Sequence, residues 1–137
     1  MSQISNLIGL DTSFVLRLLV GEPKVQAKRA VAQLDEIRSE GKRCAVSDLV
    51  VSETYFALQY HYEVPKQLAL DSLKDFLKSP EVVPIGESLA ILQQPDLGKS
   101  KPGFIDRMIH AEYMQKAEMM LSFEKAAAKL PAVRLPK

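Results

Sequence analysis

Short runs of apolar residues alternate along the chain with longer stretches in which apolar positions recur at helical spacing. The short runs predict buried strands over residues 7–10, 43–47, 81–85 and 118–123. The stretches between them predict helices over residues 13–20, 23–40, 49–62, 65–79, 104–117 and 124–130, with one brief helix after Gly86. Strands that alternate with helices are typical of a mainly parallel sheet covered on both faces. The pattern therefore predicts an α/β fold, a three-layer α/β/α domain around a short, mainly parallel central sheet.

Two of the predicted helices show which side chains face the core. The apolar positions of the helix over residues 23–40 are Val25, Ala30 or Val31, Leu34 and Ile37. Those of the helix over residues 65–79 are Leu70, Leu73 and Leu77. We expect these side chains to be buried against the sheet.

A third helix carries an acid on an apolar stripe. Leu49, Glu53, Phe56 and Tyr60 follow one another at helical spacing and therefore share one face. We expect this face to turn toward the core, which would bury Glu53. Burial of an unpartnered carboxylate costs on the order of several kcal/mol or forces it to take up a proton. Glu53 therefore needs either a basic partner at the rim or a functional role.

Composition limits the classes of protein that the chain can be. Its 137 residues suit one domain, which we expect to span residues 1–137, and 47% hydrophobic with 26% charged residues is typical of a globular chain. A net charge of +1 indicates no global attraction to nucleic acid, so such a partner would need a local patch. Cys44 is the only cysteine, which excludes an intrachain disulfide. We find no signal segment or membrane span and expect a cytoplasmic protein without membrane contact.

Four acids occupy positions that could meet in the predicted fold. Asp11 and Glu124 follow predicted strands, Asp106 lies in the first turn of a helix, and Glu53 lies on the apolar stripe. Asp11 could equally be a helix cap. Because ligands bind at the carboxyl ends of parallel strands, we expect the four acids to cluster there. Oxygen ligands without cysteine or histidine select hard cations, so this cluster would hold Mg²⁺ or Mn²⁺ for phosphate chemistry.

The order and spacing of these acids resemble those of the PIN-domain ribonucleases, and among them the VapC-type toxins of toxin–antitoxin pairs. The resemblance covers nearly the whole chain. It depends on four segments, which are LIGLDTSFVLRLL (residues 7–19), VSDLVVSETYFAL (46–58), GFIDRMIHAEYM (103–114) and MLSFEK (120–125). It implies a PIN-like domain that cleaves phosphodiester bonds in RNA with the help of Mg²⁺ or Mn²⁺.

The resemblance also implies a role for each residue of the site. Asp11 and Asp106 would be direct metal ligands, Glu53 would bind the metal or orient its water, and Glu124 would complete the acidic pocket. Ser13 and Ser122 match the hydroxyls that hold the carboxylates in place. The resemblance further implies a homodimer and a small antitoxin protein that silences the site.

Three basic residues near the predicted site could contact RNA. Lys99 and Lys101 lie in the polar loop over residues 93–103, and Arg107 follows Asp106 directly. Basic side chains at such positions can bind RNA phosphates, although charged loop residues are more often simply solvated. We retain all three as candidate RNA contacts.

Two alternatives to a working ribonuclease stay open. The fourth acid is Glu124 where the resembled family usually has Asp, which favours a catalytically weak PIN-like domain that binds RNA or protein. A small phosphatase with Asp11 as nucleophile would need a second acid shortly after it as a proton donor, and Ser13 stands there instead. The metal-dependent ribonuclease is the leading hypothesis.

Overall fold

The computed structural model of the chain describes residues 6–136 and has the predicted α/β fold. Its strands are β1 (Leu7–Gly9), β2 (Arg43–Ser47), β3 (Val82–Ile85), β4 (Met120–Leu121) and β5 (Val133–Arg134). Its α-helices are α1 (Thr12–Val20), α2 (Lys24–Ser39), α3 (Asp48–Tyr60), α4 (Lys66–Leu77), α5 (Ser88–Leu92) and α6 (Phe104–Met114). Among the described residues, no helix has the length and apolar character needed to cross a membrane.

The central sheet is parallel and has the order β1-β2-β3. Gly9 of β1 lies opposite Ala45, and Ala45 in turn lies opposite Val83 of β3. Because the strands run in one direction, the residues that follow them meet at one edge of the sheet. Asp11, two residues beyond the end of β1, lies at that edge.

The C-terminal part of the chain differs from the prediction. The expected strand over residues 118–123 forms only over Met120–Leu121, and it pairs with β5 in a separate two-stranded parallel sheet. The expected last helix is a short 3-10 helix, Lys125–Lys129. After this helix, Val133–Arg134 supplies the partner strand, which the hydrophobic pattern did not predict. Two residues of pairing are too few to give a sequence signal.

The helices bury many of the apolar positions that their spacing predicts, with exceptions in α2 and α3. Leu70, Leu73 and Leu77 of α4 are buried, as are Ala30 and Ile37 of α2. The core as a whole is formed by side chains from the sheet and from the helices packed on it, chiefly Leu10, Val15, Cys44, Val46, Val51, Tyr55, Leu58, Phe104 and Met108.

Two predicted core positions of α2 are in fact on the surface. Val25 is 71% exposed and Val31 is 50% exposed. The helix is long and polar, and it buries a narrow strip centred on Ala30 and Ile37. The prediction for Val25 is therefore wrong, and of the alternatives at 30 and 31 the structure selects Ala30.

The prediction that the stripe with Glu53 faces the core is also wrong. Leu49 is 72% exposed and Tyr60 is 78% exposed, and Glu53 between them is exposed as well. The buried side of α3 is formed by Val51, Thr54, Tyr55 and Leu58. Apolar residues occur on both sides of this helix, so helical spacing alone could not decide which side packs on the sheet.

A further acid at the carboxyl edge has a structural role. The Asp48 carboxylate accepts hydrogen bonds from the backbone N–H groups of Glu87 (2.9 Å) and Ser88 (3.1 Å), which join the start of α3 to the turn after β3. Gly86 allows this contact, because a Cβ atom there would lie 2.3 Å from Asp48 Oδ2 and its φ is +118°. Asp48 therefore fixes the loop between β3 and α5.

We expect Gly86→Ala to lower the free energy of unfolding by about 1–3 kcal/mol, because it combines a clash with a backbone conformation that L-residues avoid. Urea unfolding followed by circular dichroism measures the loss. Gly9→Ala is the matched control, since a Cβ atom at Gly9 meets nothing within 4 Å. An equally stable Gly86→Ala protein would contradict the assigned role of the turn.

Candidate active site

Asp11 is both a helix cap and a pre-oriented carboxylate. Its Oδ1 accepts hydrogen bonds from the backbone N–H of Phe14 (3.0 Å) and from the hydroxyl of Ser13 (2.8 Å). Both bonds end on Oδ1, so neither occupies Oδ2. The side chain is exposed at the N-terminus of α1, where the helix dipole favours negative charge. The cap explains the position of Asp11 and leaves one oxygen for an outside ligand.

The same contacts keep Asp11 charged. The backbone N–H of Phe14, and after it the hydroxyl of Ser13, hold the pKa of the Asp11 carboxyl below its ordinary value. Hydrogen bonds to a carboxylate favour its ionised form because they stabilise the negative charge. Asp11 is therefore an anion at neutral pH, as a metal ligand must be.

Ser13→Ala is expected to raise the pKa of Asp11, because one of the hydrogen bonds that favour the charged form is lost. The bond from Phe14, which contributes more, remains, so the rise is partial. Wild-type Asp11 stays ionised to a lower pH, and the acidic limb of any activity that needs its charge should move to higher pH in the variant. A ¹³C NMR titration of the Asp11 carboxyl carbon measures the shift. Ser13→Thr keeps the hydroxyl, so its Asp11 titration should match the wild type. An unchanged Asp11 titration in Ser13→Ala would contradict the assigned role of the Ser13 hydroxyl.

Glu53 is hydrogen-bonded to Thr12, the residue between Asp11 and Ser13. The hydroxyl of Thr12 donates a hydrogen bond of 2.6 Å to Glu53 Oε1, which connects the first turn of α1 to α3. The bond ends on Oε1 and does not occupy Oε2. Thr12 is a site residue that the sequence analysis missed, since nothing in the sequence shows that a hydroxyl at 12 meets an acid 41 residues later.

Asp106 lies in the first turn of α6 and is exposed. It borders a groove between α3 and α6 of about 360 Å³, whose walls include Phe56, Tyr60 and Lys66. Phe56 and Tyr60 lie on the same exposed face of α3 as Glu53. The groove therefore joins this face of α3 to the first turn of α6, which carries Asp106.

Glu124 and Ser122 lie at the end of β4, outside the central sheet. The hydroxyl oxygen of Ser122 accepts a hydrogen bond of 3.0 Å from the backbone N–H of Glu124. The resemblance implies that the Ser122 hydroxyl holds a carboxylate of the site, whereas the bond in the structure joins it to the backbone N–H of Glu124. Glu124 is exposed at the start of the 3-10 helix that follows.

The expected cluster of four acids is absent from residues 6–136. No three carboxylate, imidazole or thiol side chains in this part of the chain form a group that could hold a metal ion. The donor chemistry nevertheless fits a hard cation, because Asp11 and Glu53 each have one oxygen that their hydroxyl partners leave open. Mg²⁺ is commonly bound by only one or two carboxylates, and substrate phosphates and water complete its coordination. Asp11 and Glu53 each present one open oxygen of the kind that such an ion prefers.

The three basic residues named from the sequence have different surroundings. Lys99 and Lys101 are exposed in the loop before α6. Arg107 is half-buried, and its guanidinium donates hydrogen bonds to the carbonyl of Pro102 (2.8 Å) and to Gln94 Oε1 (3.2 Å). Arg107 thus ties the loop to α6 and has less freedom to reach a phosphate.

Sequence reasoning missed a pair of arginines near Ser13. Arg17 of α1 and Arg29 of α2 border a cavity of about 340 Å³ that also includes Ser13. Arg17 donates a hydrogen bond of 2.6 Å to Gln26 Oε1, which fixes its guanidinium in the cavity wall. Arg17 and Arg29 are twelve residues apart and lie on two different helices, and no sequence motif connects them.

The match to a family model decides the classification. The model described as the PIN domain matches residues 8–130, which include all four candidate acids. The chain belongs to the PIN domain family. PIN domains are in general metal-dependent nucleases, and the fold of this chain is a nuclease fold. Comparisons with curated proteins and with solved structures give no match.

Proposed function

We propose that this PIN domain is a metal-dependent endoribonuclease that hydrolyses phosphodiester bonds in RNA, with Mg²⁺ or Mn²⁺ as its cofactor. The observation that carries the proposal is the hydroxyl-supported pair of carboxylates, in which Ser13 binds Asp11 and Thr12 binds Glu53. Each acid keeps one oxygen for a ligand, and Asp11 is held in its charged form.

Each residue of the site has a part in this proposal. Asp11 and Glu53 would hold the metal, which supplies a Lewis acid that orients the phosphate and lowers the pKa of water. Asp106 would add a carboxylate from α6, and Glu124 would contribute from the C-terminal sheet. Lys99 and Lys101 would bind RNA phosphates outside the acidic region, since both are exposed.

The test of this proposal is cleavage of a mixed pool of labelled RNA by the purified protein. The pool is incubated with Mg²⁺, with Mn²⁺ and with a chelator. We expect discrete fragments with either metal and intact RNA with the chelator. Intact RNA in all three reactions would contradict the proposal.

A second candidate is a catalytically weak PIN domain that binds RNA or protein. Within residues 6–136, no third carboxylate joins Asp11 and Glu53 in a group that could hold a metal ion, which favours this candidate. The two candidates separate in the same assay, since a binding module retards RNA in a gel without cutting it at any metal concentration.

We further propose that the protein is the cytoplasmic toxin of a toxin–antitoxin pair, silenced by a small antitoxin, as the resemblance of the motifs implies. An apolar cleft of about 460 Å³ between α1 and α2, with Leu18 and Val31 in its walls, could receive a segment of such a partner. Induced expression should arrest growth, and Asp11→Asn should remove the arrest. Growth unaffected by the wild-type protein would contradict a toxin.

We also propose a homodimer. Exposed apolar side chains on α6 and β4 support a protein contact there, since Ile109 is 46% exposed, Tyr113 52% and Leu121 66%. Analytical ultracentrifugation tests this, and a monomer at micromolar concentration would contradict it.

A further inference from the structure

The exposed face of α3 presents two aromatic rings beside the candidate acids. The rings of Phe56 and Tyr60 lie 22° from parallel with their centroids 6.1 Å apart. Phe56 is 45% exposed and Tyr60 is 78% exposed. Two adjacent exposed rings form a contiguous apolar patch, and such patches mark interaction and ligand-binding sites.

These rings continue the line of Glu53 along the helix. At a rise of 1.5 Å per residue, Phe56 lies about 4.5 Å and Tyr60 about 10.5 Å beyond Glu53 along the axis. Both rings border the groove that ends at Asp106. A nucleotide bound on them would therefore place its phosphates close to Glu53 and Asp106.

The remaining walls of the groove suit a nucleotide better than an apolar protein segment. Lys66, at the start of α4, is exposed and borders the groove, and none of the described residues forms an ion pair with it. Gln59 lies between the aromatic positions and lines the groove, and its amide N–H donates a hydrogen bond of 3.4 Å to the carbonyl of Tyr55. Aromatic faces, one cation and one amide are the groups that bind unpaired bases and their phosphates.

We propose that Phe56, Tyr60 and Lys66 form a binding subsite for an unpaired nucleotide of the RNA substrate, next to the candidate carboxylates. The proposal rests on the proposed ribonuclease function and assigns to these three side chains the binding of one unpaired base and its phosphate. Bases in a duplex are stacked on each other and cannot reach the rings.

The chain contains no tryptophan, which allows a direct reporter. In Tyr60→Trp the new indole is the only one in the protein, and a stacked base should quench its fluorescence. We expect quenching by a short single-stranded RNA of mixed sequence, measured in chelator so that no RNA is cut. The same sequence as a duplex should leave the fluorescence unchanged. No quenching by the single strand would overturn the proposal.

Matched substitutions separate stacking from general apolar contact. By fluorescence anisotropy in chelator, we expect Tyr60→Leu and Tyr60→Ala to bind the single strand about tenfold more weakly than the wild type. Tyr60→Phe should bind like the wild type, because it keeps the ring. Affinity falls as salt rises, and Lys66→Gln should make this fall shallower, with the slope of log affinity against log salt smaller in magnitude by roughly 0.7. Wild-type affinity in Tyr60→Leu would overturn the proposal, since an apolar docking site would accept leucine.

Failure of the subsite and failure of the nuclease give different results. Quenching and tight binding without any cleavage in Mg²⁺ support the subsite and reject the nuclease. Cleavage that is the same in Tyr60→Leu as in the wild type supports the nuclease and rejects the subsite. A change of mass in Tyr60→Ala by ultracentrifugation, with unchanged RNA affinity, assigns this face to a second copy of the chain and also rejects the subsite. Tyr60 is largely exposed, so these variants are expected to fold.

Discussion

Asp11→Asn is expected to reduce metal-dependent cleavage of RNA by about 100-fold or more. The substitution keeps the size of the side chain and its cap on α1, but it removes the negative charge that a divalent cation needs. A metal ion stabilises the transition state of phosphate chemistry by several kcal/mol, and each 1.36 kcal/mol lost is about tenfold in rate. Initial rates on one labelled RNA in Mg²⁺ measure the effect.

The control for Asp11→Asn is Asp75→Asn, which changes an exposed acid on α4. We expect the control to cleave at the wild-type rate and both variants to give wild-type circular dichroism spectra. Cleavage that survives in Asp11→Asn would mean that Asp11 is only a helix cap, which is the structural role that its hydrogen bond from Phe14 already gives it.

Phe104→Ala is expected to lower the free energy of unfolding by about 3–5 kcal/mol, the range found when a buried phenylalanine is truncated. Phe104 is 2% exposed, and its ring meets that of Tyr55 edge to face with the centroids 5.2 Å apart. This contact packs the start of α6 on α3 and so positions Asp106 as well as the core. Urea unfolding followed by circular dichroism measures the loss.

Leu68→Ala is the comparison for Phe104→Ala, because Leu68 also lies on a helix, α4, but is 56% exposed. We expect it to cost less than about 1 kcal/mol, since surface substitutions usually have small effects. A loss of equal size in the two variants would contradict the packing assigned to Phe104.

The hydrophobic pattern predicted the fold well where an element has a single apolar face. The helix α4 is an example, because Leu70, Leu73 and Leu77 recur on one side and are buried there. The pattern failed for α3, which is apolar on two sides, and there the packing on the sheet decides which side is buried. It also failed for the pairing of β4 with β5, since two-residue strands have no periodicity to detect.

The sequence predicted the candidate acids from their positions and from the resemblance, but it could not predict their surroundings. Thr12 holds Glu53 only because α1 packs against α3, and that contact joins residues far apart in the chain. Asp48 would have been as good a candidate by position, yet its carboxylate is bound to two backbone N–H groups. Tertiary contacts thus decide which acids are open to a ligand and which are structural.

The dependence of cleavage on Mg²⁺ concentration in Glu53→Gln and Thr12→Val tests most directly whether the supported carboxylate pair holds the metal. If Glu53 binds the ion and Thr12 orients Glu53, both variants should need at least about tenfold more Mg²⁺ than the wild type for half-maximal cleavage, which is the usual cost of disturbing a ligand or its supporting hydrogen bond. Glu36→Gln, an exposed acid on α2, is the control and should match the wild type. Identical Mg²⁺ dependence in all four proteins would show that the pair of Asp11 and Glu53 is not the metal site.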